Sequence, residues 1–205
     1  MRLDQSFLTY RELSRRVRQH LNQEHRFAHS VRVARFAERL AYRHHQSPAR
    51  ARIAGMLHDL ARLYPPERLL TECEARGMTL TPYERAHPTV LHARLGAELS
   101  REMFGVHDPA VLSAIAKHTL GDAQMSRLDC ILYVADTAEP GRTFAERASL
   151  ASLAMRDLTQ ATRAALTLAM EHFGERGLEP APQTLAALEA LNTATITDQL
   201  SGRSA

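Results

Sequence analysis

Apolar residues recur along this chain at intervals of three and four, and strict alternation is absent, which predicts helices rather than strands. From about Phe7 to Leu21 the recurring positions are Leu8, Leu13 and Val17. A second helix is predicted from about Arg26 to His44, with Val33, Phe36, Ala37 and Leu40 on its buried stripe. Ser47 followed by Pro48 reads as an N-cap with proline at the first helical position. That helix is expected to reach about Tyr64, with Ile53, Leu57, Leu60 and Tyr64 on one face, and to stop at Pro65-Pro66. Gly55 in its interior costs about 1 kcal/mol relative to alanine and allows a close approach by a neighbour. A short amphipathic helix, Glu67 to Arg76, closes at Gly77.

Thr81-Pro82 opens a helix expected to run to about Phe104, kinked or split at Pro88. Asp108-Pro109 opens the next, which Gly121 stops, and another starts near Ser126 and ends at Pro140-Gly141. One long helix is predicted from about Phe144 to Phe173, carrying Leu150, Leu153, Leu158, Ala161, Ala165 and Leu168. After a break at Gly174 to Gly177, Gln183 to Asn192 forms a last short helix, and Ser201 to Ala205 is expected to fray. The expected fold is all-α and single-domain. An N-terminal helix (1–25) packs on a core (26–175), followed by a C-terminal extension (176–205).

Several polar residues interrupt the apolar stripes. His29 lies one turn before Val33, His92 between Leu91 and Leu95, and His118 one turn after Ile115. Asp136 lies on or beside the face of Leu128, Ile131, Leu132 and Ala135. His58-Asp59 sits inside the apolar run Ala54-Gly55-Met56-Leu57-His58-Asp59-Leu60. Burying such a charge without a partner costs many kcal/mol. A divalent cation removes the difficulty, because imidazole nitrogen and carboxylate oxygen are both good ligands. Taken singly, each histidine reads equally as a core residue bonded to a backbone carbonyl. Six residues of metal-ligand type on five helices are better explained by one shared site. His20, His44, His45 and His107 fall near helix ends or among charges and read as surface residues.

Composition narrows the function classes. The net charge of +3 is mild and suits an anionic small substrate. No Lys/Arg cluster is interleaved with aromatics, and tryptophan is absent, so a nucleic-acid surface is not expected. There is no apolar run long enough to span a bilayer, and no signal-peptide core follows Met1. Cys73 and Cys130 lack a C-x-x-C spacing and read as reduced thiols of a cytoplasmic protein. The chain has no P-loop motif, and no Ser or Cys stands in a nucleophile motif, which favours direct attack by water.

The order His29, then His58-Asp59, then Asp136 matches the H…HD…D pattern of the HD-domain metal-dependent phosphohydrolases. Narrower words do more. Arg26-Phe27-Ala28-His29-Ser30-Val31-Arg32-Val33-Ala34, Ala114-Ile115-Ala116-Lys117-His118-Thr119-Leu120-Gly121, and Leu132-Tyr133-Val134-Ala135-Asp136 with Glu139-Pro140 and Arg142 resemble the YqeK group. Those are bacterial symmetrical diadenosine-tetraphosphate hydrolases. The resemblance spans roughly residues 10 to 190. Arg62, where lysine is expected, and Ala138, where a larger aliphatic is expected, depart from it.

His29, His58, Asp59 and Asp136 suffice for one metal with open positions. Asp59 can bridge to a second ion, for which His92 and His118 are the remaining ligands; with one ion present, these two would instead hydrogen-bond phosphate. Asp59, His92 and His118 are thus the candidate catalytic residues. The resemblance implies iron in at least some members, and one or two ions are compatible with the donors. Candidate substrate contacts are the cations Arg26, Arg62, Lys117 and Arg142, with Thr119 and Glu139 near ribose or phosphate, beside His29, Asp59, His92, His118 and Asp136 themselves. The expected partner is a small dinucleoside polyphosphate, with neither nucleic acid nor membrane; a homodimer is left open. The alternatives are another HD nucleotide phosphohydrolase, such as a 5′-nucleotidase or guanosine alarmone hydrolase, and a non-catalytic nucleotide-binding regulator.

Overall fold

Ser47, Thr81 and Asp108 each accept a hydrogen bond from the first turn of the helix that follows, with proline at its first position, as capping chemistry requires. The computed structural model describes residues 9–175, 177 and 179–201. They form α1 (Tyr10–Leu21), α2 (Glu24–Arg43), α3 (Pro48–Leu57), α4 (Pro66–Ala75), α5 (Pro82–Ala86), a 3-10 turn (Pro88–Leu91), α6 (His92–Phe104), α7 (Pro109–Lys117), α8 (Arg127–Ala138), α9 (Arg147–Ala154), α10 (Leu158–Glu175) and α11 (Pro182–Ser201). No strand occurs among the described residues, and no helix there is long and apolar enough to cross a membrane.

The centre is α3, packed between α2, α7 and α8, with α6 closing on α7 and α10 on α8. Leu40, Met56, Leu57, Leu95, Ile115, Ile131, Leu132 and Leu166 meet in one continuous apolar cluster and are fully buried. Leu13, Val17 and Leu21 dock α1 onto it. A fully buried aliphatic side chain contributes roughly 1.5–3 kcal/mol, so this cluster is what holds the helix ends in place.

The Thr81–Phe104 stretch splits at Pro88 as expected, into α5, the 3-10 turn and α6, because Pro88 supplies no amide hydrogen. Three predicted elements differ. The helix after Pro48 ends at Leu57, not near Tyr64, for a reason given below. The long helix from Phe144 to Phe173 is two helices, α9 and α10. Asp157 causes the break: its carboxylate accepts from Gln160 N at 2.9 Å, an N-cap that starts α10 afresh. The last helix runs on to Ser201. Phe7, Leu8 and residues 202–205 lie outside the described residues. His44, read as a surface residue, is buried, with its Nε2 2.6 Å from Ala154 O.

Gly55 is where α2 and α3 touch. A Cβ there would lie 2.6 Å from Ala34 Cα and 2.8 Å from Ala34 N. Both are backbone atoms, so neither can swing aside. Gly55→Ala recovers about 1 kcal/mol of helix propensity but overpacks the contact, at about 1–3 kcal/mol. We expect net destabilisation, read as a lower urea midpoint at unchanged m value. A midpoint that stays put would contradict this close approach.

Candidate metal centre

Three histidines sit at helix boundaries and repeat one device. His58 Nδ1 lies 2.8 Å from Gly55 O, His92 Nδ1 2.6 Å from Thr89 O, and His118 Nδ1 2.7 Å from Ile115 O. A carbonyl only accepts, so each Nδ1 carries the hydrogen and each Nε2 keeps its lone pair. In a continuing helix, Gly55 O would accept from residue 59 and Ile115 O from residue 119. The imidazoles take those carbonyls instead, and α3 and α7 end at Leu57 and Lys117. His29 differs: its Nδ1 is 3.1 Å from Glu139 Oε1.

The four Nε2 atoms converge in two pairs. His29 and His58 Nε2 are 3.3 Å apart, and His92 and His118 Nε2 are 3.2 Å apart. Asp59 stands between the pairs. Its Oδ2 lies 3.8 Å from His29 Nε2 and 3.6 Å from His58 Nε2, and its Oδ1 lies 3.5 Å from His92 Nε2 and 4.0 Å from His118 Nε2. Asp136 Oδ1 joins the first pair, 3.0 Å from His29 Nε2 and 3.7 Å from His58 Nε2. Two ligands each about 2.0–2.2 Å from one ion stand roughly 3–4 Å apart. The spacings fit that range, and paired lone pairs this close repel unless a proton or cation lies between them. The donor set therefore fits a divalent metal, with Asp59 reaching both halves. His29, His58, Asp59, His92 and His118 are all buried.

Without a cation, the electrostatics are divided. Burial pushes His58 down, but Asp59 and Asp136 outweigh it and raise its pKa to about 9. Burial, with His58 and His92 nearby, pushes His118 down to about 3, and burial lowers His92 as well. Burial opposes the charge on Asp136, yet hydrogen bonds from His29 and His58 and the Arg142 charge hold it well below the usual carboxylate range. Asp59 is also lowered: His58 and His92 prevail over burial.

The candidate substrate contacts scatter more widely. Arg142 Nη2 is 2.6 Å from Asp136 Oδ1, and Arg26 Nη1 is 3.8 Å from Asp59 Oδ2. Arg26 Nε is buried without a hydrogen-bond partner among the described residues. Thr119 Oγ1 lies 3.1 Å from His92 Nε2 and 3.2 Å from His118 Nε2. Arg62 is exposed, and its charge helps to lower His92. Lys117 instead reaches Gln124 O at 2.6 Å, with Asp122 and Asp129 at 3.6 Å, and among the described residues its ammonium makes no hydrogen bond or ion pair with the cluster. Glu139 is buried behind His29, its oxygens taken up by His29 Nδ1, the Arg32 guanidinium and Gly141 N. Arg32 was not singled out from sequence. Its position three residues after His29, on the same helical face, is the signal that was available.

A sequence model of the HD domain matches residues 26–141. The chain belongs to the HD domain family. It is similar to a Bacillus subtilis protein named "Bis(5'-nucleosyl)-tetraphosphatase, symmetrical", at 37% identity over 145 residues, 71% of this chain and 77% of the relative. A Mycoplasma genitalium protein named "Probable nicotinate-nucleotide adenylyltransferase/Ap4A hydrolase" is 38% identical over 117 residues, 57% of this chain; the match spans only 33% of that longer relative. A crystal structure of a "predicted HD superfamily hydrolase involved in NAD metabolism" from Clostridium acetobutylicum superposes with a TM-score of 0.86 at 31% identity, covering 91% of this chain and 98% of that one. This HD domain thus has all-helical architecture throughout and carries His58-Asp59 at its centre.

Proposed function

We propose that this HD domain protein hydrolyses diadenosine tetraphosphate symmetrically, water plus one dinucleotide giving two ADP, in the cytoplasm and with iron as the resident metal. The observation that carries the reading is the Asp59 carboxylate, which turns one oxygen to each histidine pair. The names of the symmetrical tetraphosphatase relatives support the substrate, and the two buried free thiols support a reducing compartment. The ligands are all imidazole and carboxylate, which suits iron among other first-row ions.

His29, His58, Asp59 and Asp136 would hold one cation, and Asp59, His92 and His118 a second. Such an ion supplies Lewis acidity toward a phosphoryl oxygen and lowers the pKa of bound water. The protein's own part is orientation and charge. Four Nδ1 tethers aim the imidazoles. Arg142 fixes the Asp136 carboxylate, and its exposed edge faces solvent beside it. Arg26, whose guanidinium Nη1 lies 3.8 Å from Asp59 Oδ2 and whose side chain is partly exposed, would meet a phosphate there, where charge-assisted bonds strengthen as negative charge develops. Thr119 Oγ1, within hydrogen-bond reach of both His92 and His118, is placed to hold a phosphate oxygen on that side. Product analysis tests the reading: ADP alone is expected, whereas ATP plus AMP would mean that a different anhydride bond is cut.

Glu139 acts in this scheme as a positioning residue for His29. Glu139→Gln is expected to weaken metal binding about 10–100-fold, measured by competition with a chromogenic chelator. Acid titration gives a second readout. Burial raises the Glu139 carboxyl, but Arg32, Gly141 N and His29 bring it down to about 2 from its usual 4.5. Its contribution to stability is therefore complete above pH 4.5 and is lost as pH falls through 2. The variant should lose that acid limb.

A further inference from the structure

Behind the metal centre, one guanidinium on α2 grips the segment that follows α8. Arg32 Nε donates to Glu139 Oε2 at 2.5 Å and Arg32 Nη2 to Glu139 Oε1 at 3.1 Å. The same two oxygens accept from Gly141 N at 2.5 Å and from His29 Nδ1 at 3.1 Å. Glu139 is buried and Arg32 is partly exposed, so the cation brings its charge in from the surface. A bidentate pair of this kind fixes the plane of a carboxylate as well as its position.

The grip extends to a second candidate ligand. Glu139 opens a tight turn, in which Arg142 N donates to Glu139 O at 3.0 Å. Arg142 Nη2 in turn holds Asp136 Oδ1 at 2.6 Å. His29 Nε2 and Asp136 Oδ1 stand 3.0 Å apart, and both are steadied from this one turn. Gly141 shows how closely the guanidinium is fitted. A Cβ there would lie 2.5 Å from Arg32 Cζ and Nη2. Gly141 is not among the glycines of positive φ, so the space taken by Arg32, and not backbone conformation, is what calls for a glycine.

We propose that Arg32 is a positioning residue for the metal centre, acting through Glu139 on His29 and through the turn after Glu139 on Asp136, with Gly141 kept small to admit its guanidinium. The proposal rests on the metal reading of the site and is independent of which anhydride bond is cut. Without Arg32 the buried Glu139 carboxylate loses two of its four donors and its counter-charge. It is then no longer held in the plane that orients the His29 ring, and the turn that carries Arg142 is released with it.

The test is competition for ferrous iron between the protein and a chromogenic chelator. Arg32→Ala should weaken iron binding about tenfold, the lower end of what loss of a partner behind a ligand costs. Arg32→Lys restores the charge but not the two-point grip, and should fall between alanine and wild type. Gly141→Ala removes no side chain; its methyl group drives the guanidinium off Glu139, and it should match Arg32→Ala. Two double variants separate positioning from general damage. With the guanidinium gone the methyl at position 141 has room, so Arg32→Ala combined with Gly141→Ala should bind iron within about twofold of Arg32→Ala alone. With the carboxylate gone Arg32 has nothing to hold, so Arg32→Ala combined with Glu139→Ala should bind within about twofold of Glu139→Ala alone. Iron binding by Arg32→Ala and Gly141→Ala that equals wild type overturns the proposal, as do losses that multiply in either double variant. A wild-type protein that leaves all the iron with the chelator overturns the metal reading instead.

Discussion

Asp59→Ala is expected to reduce the kcat for diadenosine tetraphosphate hydrolysis by about 10³-fold or more, equivalent to roughly 4 kcal/mol of transition-state stabilisation. Among the described residues, Asp59 is the carboxylate whose oxygens lie within 4.0 Å of histidine Nε2 atoms in both pairs. Removing it breaks each half of the ligand set at once. Asp59→Asn separates charge from shape. The amide keeps one oxygen, so it can serve one pair, but its nitrogen cannot ligate on the other side. The asparagine variant should therefore retain part of its metal content by elemental analysis while losing most of its turnover. Full activity in Asp59→Ala would place the chemistry away from this centre.

Removing the metal should have the second-largest effect, and it should change how stability depends on pH. Chelation is expected to abolish turnover, with recovery on adding iron. In the metal-free protein His58 holds a proton up to about pH 9, against an ordinary 6.5, because Asp59 and Asp136 outweigh its burial. The sign follows from linkage. A raised folded pKa stabilises fully below pH 6.5, and that contribution fades as pH climbs through 9. In the loaded protein the cation takes the place of that proton, so the fade is absent. A ligand that binds only the folded state at 100 times its Kd adds about 2.7 kcal/mol. The gap in Tm between loaded and stripped protein should accordingly widen from pH 6 to pH 9. A gap that narrows would mean that His58 is not protonated in the stripped site. The same exchange predicts proton uptake on stripping below pH 9.

Much of this protein was legible from local rules. Three- and four-residue periodicity located the helical regions, and Ser47, Thr81, Asp108 and Ser126 marked their starts, because capping depends on near neighbours. The six polar interruptions of apolar stripes named the cluster, since a buried polar group needs a partner wherever it occurs. One local signal went unread: Asp157 is an N-cap in the middle of a helical pattern, and it divides α9 from α10.

The rest depended on contacts between distant segments. The end of α3 at Leu57 depends on a side chain, His58, capturing Gly55 O, which competes with the helix's own hydrogen bond only because the imidazole is also drawn toward His29 and Asp136. Glu139 lies 110 residues from His29 in sequence, and only folding shows that its carboxylate lies behind the ring instead of in front of it. Helix periodicity reports which face of one segment is apolar. It carries no information on where two such faces cross, and the division of labour between the oxygens of Asp59 is set by that crossing.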